Sequence, residues 1–150
     1  MGSDEGPDEI LEGLVLAVEE APRSARFVVV GQEDVLGPMI EAKPRLASAN
    51  VETHHASEII AMGEKPIAGI KQKKDSSMTR ALEMVKENEA DALLSCGNTG
   101  CLMAGGAIRL RTLDGVERPA LCTIWPGPPS LARHGQGVFF RFLDTYEPTP

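Results

Sequence analysis

The sequence predicts an α/β domain in which a parallel sheet carries helices on its faces. Three observations lead there. Segments with apolar residues at helical spacing alternate with short β-branched runs along the chain. The run Arg26–Val30 (RFVVV) is continuously apolar after its first residue, as a strand buried on both faces is. Met78, Ala81, Leu82 and Val85 fall at i, i+3, i+4 and i+7, one face of one helix.

In chain order, Pro7 suits a first helical turn, with Asp8 and Glu9 placed to meet the helix dipole. Ile10, Leu11, Leu14, Val15, Ala17, Val18 and Ala21 continue at helical spacing until Pro22 stops them. Arg26–Val30 follows as a strand closed by Gly31. Asp34 begins a second helix through Leu36, Met39 and Ile40 towards Ala42, with Pro38 in its first turns. Val51–His54 is a second strand, and the sequence leaves Ala56–Met62 undecided. The Met78 helix runs from about Ser77 to Glu87, capped by Ser76 or Ser77 and ended at Asn88. Ala92–Ser95 reads as a short core strand, and Gly100–Leu110 as an apolar helix buried on most sides. Gly105 and Gly106 inside it each cost about 1 kcal/mol against alanine, which predicts a close neighbour there. A turn at Asp114-Gly115 leads to a last strand, Ala120–Ile124. Beyond Trp125 the chain becomes rich in proline and aromatic residues without periodicity, and 126–150 reads as a flexible tail, an edge segment or sequence foreign to a 1–125 domain.

A net charge of -7 argues against general nucleic-acid binding, which needs a basic footprint. No apolar run reaches the roughly 18 residues of a spanning helix, and no signal peptide opens the chain. Three cysteines, Cys96, Cys101 and Cys122, make no C-x-x-C pair and suit reduced thiols in a cytoplasm. No metal site is expected; His54-His55 lacks a second ligand pair and reads as structural or surface.

The chemistry is expected in Lys71–Gly106. Ser95-Cys96-Gly97-Asn98-Thr99-Gly100 has two glycines that allow close approach of a ligand and a helix start whose free N–H groups favour an anion. Ser95, Asn98 and Thr99 add side-chain donors. The loop matches neither G-x-x-x-x-G-K-[ST] nor G-x-G-x-x-G, and a tight turn with a capping Thr is its plain alternative. Lys71-Gln72-Lys73-Lys74-Asp75-Ser76-Ser77 is either a solvated basic turn before a capped helix or the second half of the same anion site, since both loops can open at the carboxyl ends of parallel strands. With Lys65 and Arg80, this basic cluster in an acidic protein also suits an acidic partner. Cys96 precedes a helix start that would stabilise a thiolate, yet no His is fixed near it, and a small buried residue is the expected role. Asp4, beside Gly2, can face the same cleft.

Four stretches, MGSDEGPDEILEG, HASEIIAMGEKP, KKDSSMTRALEMVKENEADALLSCGNTGCLMAGG and VERPAL, together resemble in order and spacing the bacterial PlsX family, phosphate acyltransferases of fatty acid and phospholipid synthesis. The resemblance covers about Met1–Trp125. It implies a three-layer α/β/α Rossmann-like fold similar to phosphotransacetylase and isocitrate dehydrogenase-like enzymes, here truncated. It further implies a homodimer, without cofactor, that converts acyl-[acyl carrier protein] and inorganic phosphate to acyl phosphate and free carrier. Such enzymes are cytoplasmic and peripheral at the membrane, where a partner acyltransferase passes the acyl group to glycerol 3-phosphate.

Departures accompany the match. The family's opening motif follows a first strand that this sequence does not show, and its Gly-Gly-Asp-His pattern is here Gly2-Ser3-Asp4-Glu5. Gly63 stands where an acidic residue is usual, and Cys96 and Cys101 where alanines are common. The tail after Trp125 is expected to derive from a shifted reading frame or a misassembled gene.

Phosphate is itself a nucleophile, so the resemblance requires a site that holds it against a thioester carbonyl and stabilises the oxyanion, with no covalent enzyme nucleophile. Ser76, Ser77, Asn98, Thr99 and the backbone at Gly97 and Gly100 are expected to hold phosphate, with Lys74, and secondarily Lys71, offsetting its charge. Two competing readings are an inactive relative that binds only phosphate or a protein partner, and another enzyme of the fold group such as a small-acyl phosphotransacetylase or a decarboxylating dehydrogenase.

Overall fold

The computed structural model describes residues 2–112, 114–116, 121–127 and 137–143. Two units divide the chain at Arg111–Thr112. In the first, the order is α1 (Gly6–Glu20), β1 (Phe27–Gly31), α2 (Glu33–Glu41), α3 (Pro44–Ala47), β2 (Val51–His55), α4 (Pro66–Gln72), α5 (Ser77–Lys86) and α6 (Thr99–Arg109). The second holds β3 (Leu121–Gly127) and β4 (Gly137–Leu143). No helix among the described residues is long and apolar enough to cross a membrane.

The α/β expectation holds in the first unit. β1 and β2 pair in parallel from Phe27 opposite Val51 to Gly31 opposite His55. Residues two apart on a strand share a face, so this register sends Val29 and Val51 to the same side. There they join Leu11 of α1, Leu36 and Ile40 of α2, and Leu46 of α3 in one apolar cluster. Each of these four buried side chains contributes about 1.5–3 kcal/mol by leaving water. Pro7 opens α1 and the extended Ala21 ends it before Pro22. α2 begins one residue before Asp34 and carries Pro38 as its sixth residue, past the first turn. Without an N–H, Pro38 leaves the Asp34 carbonyl without its helical donor, and the helix ends three residues later.

The second cluster gathers Ile60, Ile70 of α4, Met78 and Leu82 of α5 and Cys101 of α6, with Leu93 and Leu102 packed against it. α5 buries Met78, Ala81 and Leu82 as its periodicity requires, together with Thr79 and Met84, while Val85 is half-buried. Asn88 takes a left-handed φ of 60° just past the helix, where asparagine is tolerated better than most residues. The close approach expected in α6 falls on one glycine of the pair. A Cβ on Gly105 would lie 2.4 Å from Leu82 Cδ1 and 3.0 Å from Ile70 Cδ1, whereas nothing lies within 4 Å of one on Gly106.

Several expectations are corrected. Ala92–Ser95 is not a strand: no neighbouring strand among the described residues offers it a ladder, and Leu94 is 92% exposed. α6 is not buried on most sides; only Cys101 and Gly105 are buried, and Ile108 and Leu110 face solvent. Segment 56–62 is irregular apart from a parallel bridge between Glu58 and Ser76. α3 and α4 are additions, both too short for a periodic pattern to announce them. The turn at Asp114-Gly115 is present, and the strand after it runs to Gly127. Ala120 lies outside the described residues. β3 pairs with β4 in antiparallel register, Leu121 opposite Leu143 through Gly127 opposite Gly137, so part of 126–150 is a strand.

The two α6 glycines should therefore separate on mutation. Gly105→Val is expected to lower stability by roughly 1–3 kcal/mol through overpacking, and Gly106→Ala to raise it by up to about 1 kcal/mol through helix propensity. Urea midpoints of the two variants check this; equal shifts in one direction would contradict the packing described.

Candidate functional site

Asn98 sits at the start of α6 with 6% of its surface exposed. Its Oδ1 accepts the Cys101 N–H at 3.0 Å, which caps the helix. Its Nδ2 donates to the carbonyls of Met62 (2.8 Å), Glu64 (3.0 Å) and Ala61 (3.3 Å), two amide hydrogens shared among three acceptors. One side chain thus fixes α6 and ties the 61–64 turn to it. The N-terminal segment enters the same place. Gly2, at φ +84°, passes so close to Ile60 that a Cβ would lie 2.3 Å from its carbonyl oxygen. A Cβ on Gly97 would lie 3.9 Å from the Gly2 carbonyl oxygen and 3.7 Å from Cε of Met78 in the first turn of α5. The loop before α6 and the first turn of α5 are therefore neighbours.

A second set of bonds holds segment 57–64 from the other side. Ser57 donates both its backbone N–H (3.0 Å) and its hydroxyl (2.5 Å) to Asp75 Oδ2. Arg80 Nε donates to Asp75 Oδ1 at 2.7 Å. Glu58 accepts from the Asp75 N–H through Oε2 and from the Ser77 N–H through its carbonyl. Lys73 Nζ donates to the Ile59 carbonyl at 2.6 Å and to Glu64 Oε1 at 2.5 Å. The Ser57 hydroxyl first, then its N–H and the Arg80 guanidinium, hold the Asp75 carboxyl well below the usual aspartate range. The Lys73 ammonium and the Ala61 N–H lower Glu64 in the same way. Arg80 also meets Glu83, which pairs in turn with Arg109 of α6.

The expected site residues divide. Ser76 is fully buried, and its hydroxyl is absorbed in the cap: it accepts the Thr79 N–H at 3.3 Å and donates to Thr79 Oγ1 at 2.9 Å. Ser77 is half-buried, its N–H given to Glu58. The Ser95 hydroxyl accepts the Gly97 N–H at 3.2 Å. Thr99 is exposed and Gly100 half-buried; a Cβ on Gly100 would lie 2.7 Å from Pro66 Cγ, so the glycine admits the start of α4. The N–H groups of Thr99 and Gly100 have no bonding partner among the described residues. Lys71 on α4 and Lys74 after it are exposed, as is Asp4. Cys96 is exposed, which corrects the buried role expected for it, because the extended segment before it lies at the surface; the buried thiol is Cys101. Burial pushes the Cys101 thiol up. The His55 Nδ1 accepts the Glu33 N–H, a local structural contact, while His54 faces a side groove.

Sequence reasoning passed over Ser57, Glu58, Glu64 and Lys73. Their partners lie 9 to 18 residues away, beyond any helical or strand period, so no local pattern marks them. It also passed over a shallow groove of about 560 Å³ lined by Gln32, Glu33, Asp34, His55 and Ser57, at the carboxyl ends of β1 and β2.

The sequence profile of a family described as fatty acid synthesis protein matches residues 1–132, seven residues past Trp125. Among curated relatives, the phosphate acyltransferase of Methylococcus capsulatus is 40% identical over 134 residues, 89% of this chain and 38% of the relative. That of Halorhodospira halophila is 41% identical over 126 residues, 84% of this chain and 36% of the relative. One from Cereibacter sphaeroides is 42% identical over 126 residues, 84% of this chain and 34% of the relative. The chain thus spans little more than a third of the length of the relatives it matches.

The Asp75 bonds set a pH dependence. A carboxyl with a depressed folded-state pKa contributes stability above its ordinary value of 3.8, and that contribution is lost as pH falls below it. Asp75→Asn is expected to flatten the loss of urea resistance between about pH 5 and about pH 3 relative to wild type. Superimposable acid limbs for the two proteins would contradict the assignment.

Proposed function

The chain belongs to the fatty acid synthesis protein family, and on that premise we propose that it serves phosphate acyl transfer, converting acyl-[acyl carrier protein] and inorganic phosphate to acyl phosphate and free carrier. A phosphate oxygen bonds to the thioester carbon, the tetrahedral oxyanion collapses, and the C–S bond breaks. The departing thiolate takes up the proton that the phosphate loses. The protein's part is to hold phosphate in line and to offset its charge. One observation carries the reading: the loop before α6 lies against the first turn of α5, with the Thr99 and Gly100 N–H groups unused. Helix starts so arranged favour an anion. Phosphate is then held by those N–H groups and the Thr99 and Ser77 hydroxyls, with Lys74 balancing its charge. Asn98 and Ser76 shape the site from behind, since their polar atoms are already bonded.

The wider reading is a Rossmann-like three-layer α/β/α domain. It is supported by α1–α3 packed on the Val29 face of the sheet, while Val28 and Glu52 line a groove with Met84 and Asn88 at the end of α5. Homodimerisation, a cytoplasmic place peripheral to the membrane, and a partner acyltransferase that forwards the acyl group to glycerol 3-phosphate complete the proposal. A second reading, a chain that binds phosphate or a partner without turnover, is favoured by the internal bonding of Asn98 and Ser76.

Lys74→Gln and Thr99→Val are each expected to weaken phosphate binding by calorimetry several-fold, about 0.5–1.5 kcal/mol. Acyl phosphate formation from an acylated carrier distinguishes the two readings. Unchanged phosphate affinity in both variants would remove the site from the loop.

A further inference from the structure

The outer face of α4 suits a protein partner. Ile67 and Lys71 follow at i and i+4 on one row, and Lys74 lies two residues beyond the helix end. The opposite side is core: Gly69 and Ile70 are buried, and a Cβ on Gly69 would lie 3.3 Å from Ile60 and 3.4 Å from the Cys101 sulfur. Ile67 is 58% exposed, an apolar centre between cations. Among the described residues Lys65, Lys71 and Lys74 form no salt bridge, and unlike the other cations without one, Arg23, Lys86 and Arg111, they are grouped in one short stretch. The two carboxylates within residues 64–75 are already matched, Glu64 by Lys73 and Asp75 by Arg80. Residues 64–75 hold four lysines against those two carboxylates, a local excess of positive charge in a chain of net charge -7.

We infer that the Ile67–Lys71 face of α4 is a docking surface for an acidic protein with a small apolar contact at its centre. Under the acyl-transfer reading, on which this inference rests, that partner is the acyl carrier protein. The location fits, because the same helix starts against Gly100 and ends at the Lys73–Ser76 turn, so a carrier seated on it stands beside both halves of the phosphate site. Charge complementarity sets on-rate and partner choice, and a partly exposed isoleucine supplies the contact that outlasts salt. A membrane surface fits less well: seven residues with one exposed large apolar side chain offer little to bury in a lipid interface.

The test is binding of the full chain to acylated carrier protein, followed by fluorescence anisotropy at low and high salt, with phosphate binding measured in parallel. Wild type should bind the carrier and weaken as salt rises over the range where the Debye length shrinks from about 30 to about 10 Å. Lys71→Glu should weaken carrier binding by at least about fivefold at low salt, and Ile67→Ala by a few-fold at either salt. Phosphate affinity should stay at the wild-type value in Ile67→Ala. No carrier binding by a wild-type chain that binds phosphate, or carrier affinity unmoved by both substitutions, would overturn the inference and leave the acyl-transfer reading standing. Loss of binding to phosphatidylglycerol vesicles on Lys71→Glu, with carrier binding unchanged, would assign the face to a membrane instead. Failure of the acyl-transfer reading is read separately, as absence of acyl phosphate with carrier bound.

Discussion

The side-chain amide of Asn98 is the contact on which the site region depends. It sits between two pieces of chain that have no other regular structure in common, the turn at 61–64 and the first turn of α6. Its carbonyl end answers an orphan N–H of the helix, and its amino end answers carbonyls of the turn. No residue without both a donor and an acceptor group fills that position. The dual demand explains the asparagine of the Gly-Asn-Thr-Gly loop before α6, and Gly100 makes room for Pro66, where a Cβ would lie 2.7 Å away.

Magnitudes rank the supports around it. The Asp75–Arg80 and Arg80–Glu83 pairs are partly exposed, and such pairs contribute about 0–1 kcal/mol each. A buried amide that loses its partners costs about 1–3 kcal/mol, and the loss is not screened by salt. The ionic bonds of Lys73, Asp75 and Arg80 therefore orient segment 57–64, while Asn98 and the Ile60–Leu82 cluster hold it. Both sets of bonds converge on the same segment, so the turn after Lys71 and the loop after Ser95 act on one object rather than on two.

What the sequence made legible was local. The FVVV strand, the α5 stripe, the Ser76 cap and the Asn88 terminus each rest on residues within a few positions of one another, and each is present. Ala92–Ser95 was misread because four apolar or small residues satisfy a strand pattern only when a neighbouring strand completes the ladder, and sequence does not say which neighbour is there. The loop was legible as a special place, but the direction of Asn98 was not. Its three acceptors come from residues 34 to 37 positions earlier, in a stretch without periodicity. Lys73 rather than Lys74 turned inward for the same kind of reason: which lysine of a basic run finds a half-buried carboxylate depends on where Glu64 has been carried by the fold.

In the acyl-transfer reading proposed above, backbone N–H groups and exposed cations meet the anion while buried polar side chains fix the frame. Its central claim is that Asn98 belongs to the frame. Hydrogen exchange on Asn98→Asp tests this most directly, because a carboxylate still caps α6 but has no hydrogen for the carbonyls of Ala61, Met62 and Glu64. The account predicts exchange at the Ala61 and Glu64 amides faster by about tenfold, equivalent to about 1.4 kcal/mol, with Cys101 and the β1 amides unchanged. Unaltered exchange at Ala61 and Glu64 would contradict it.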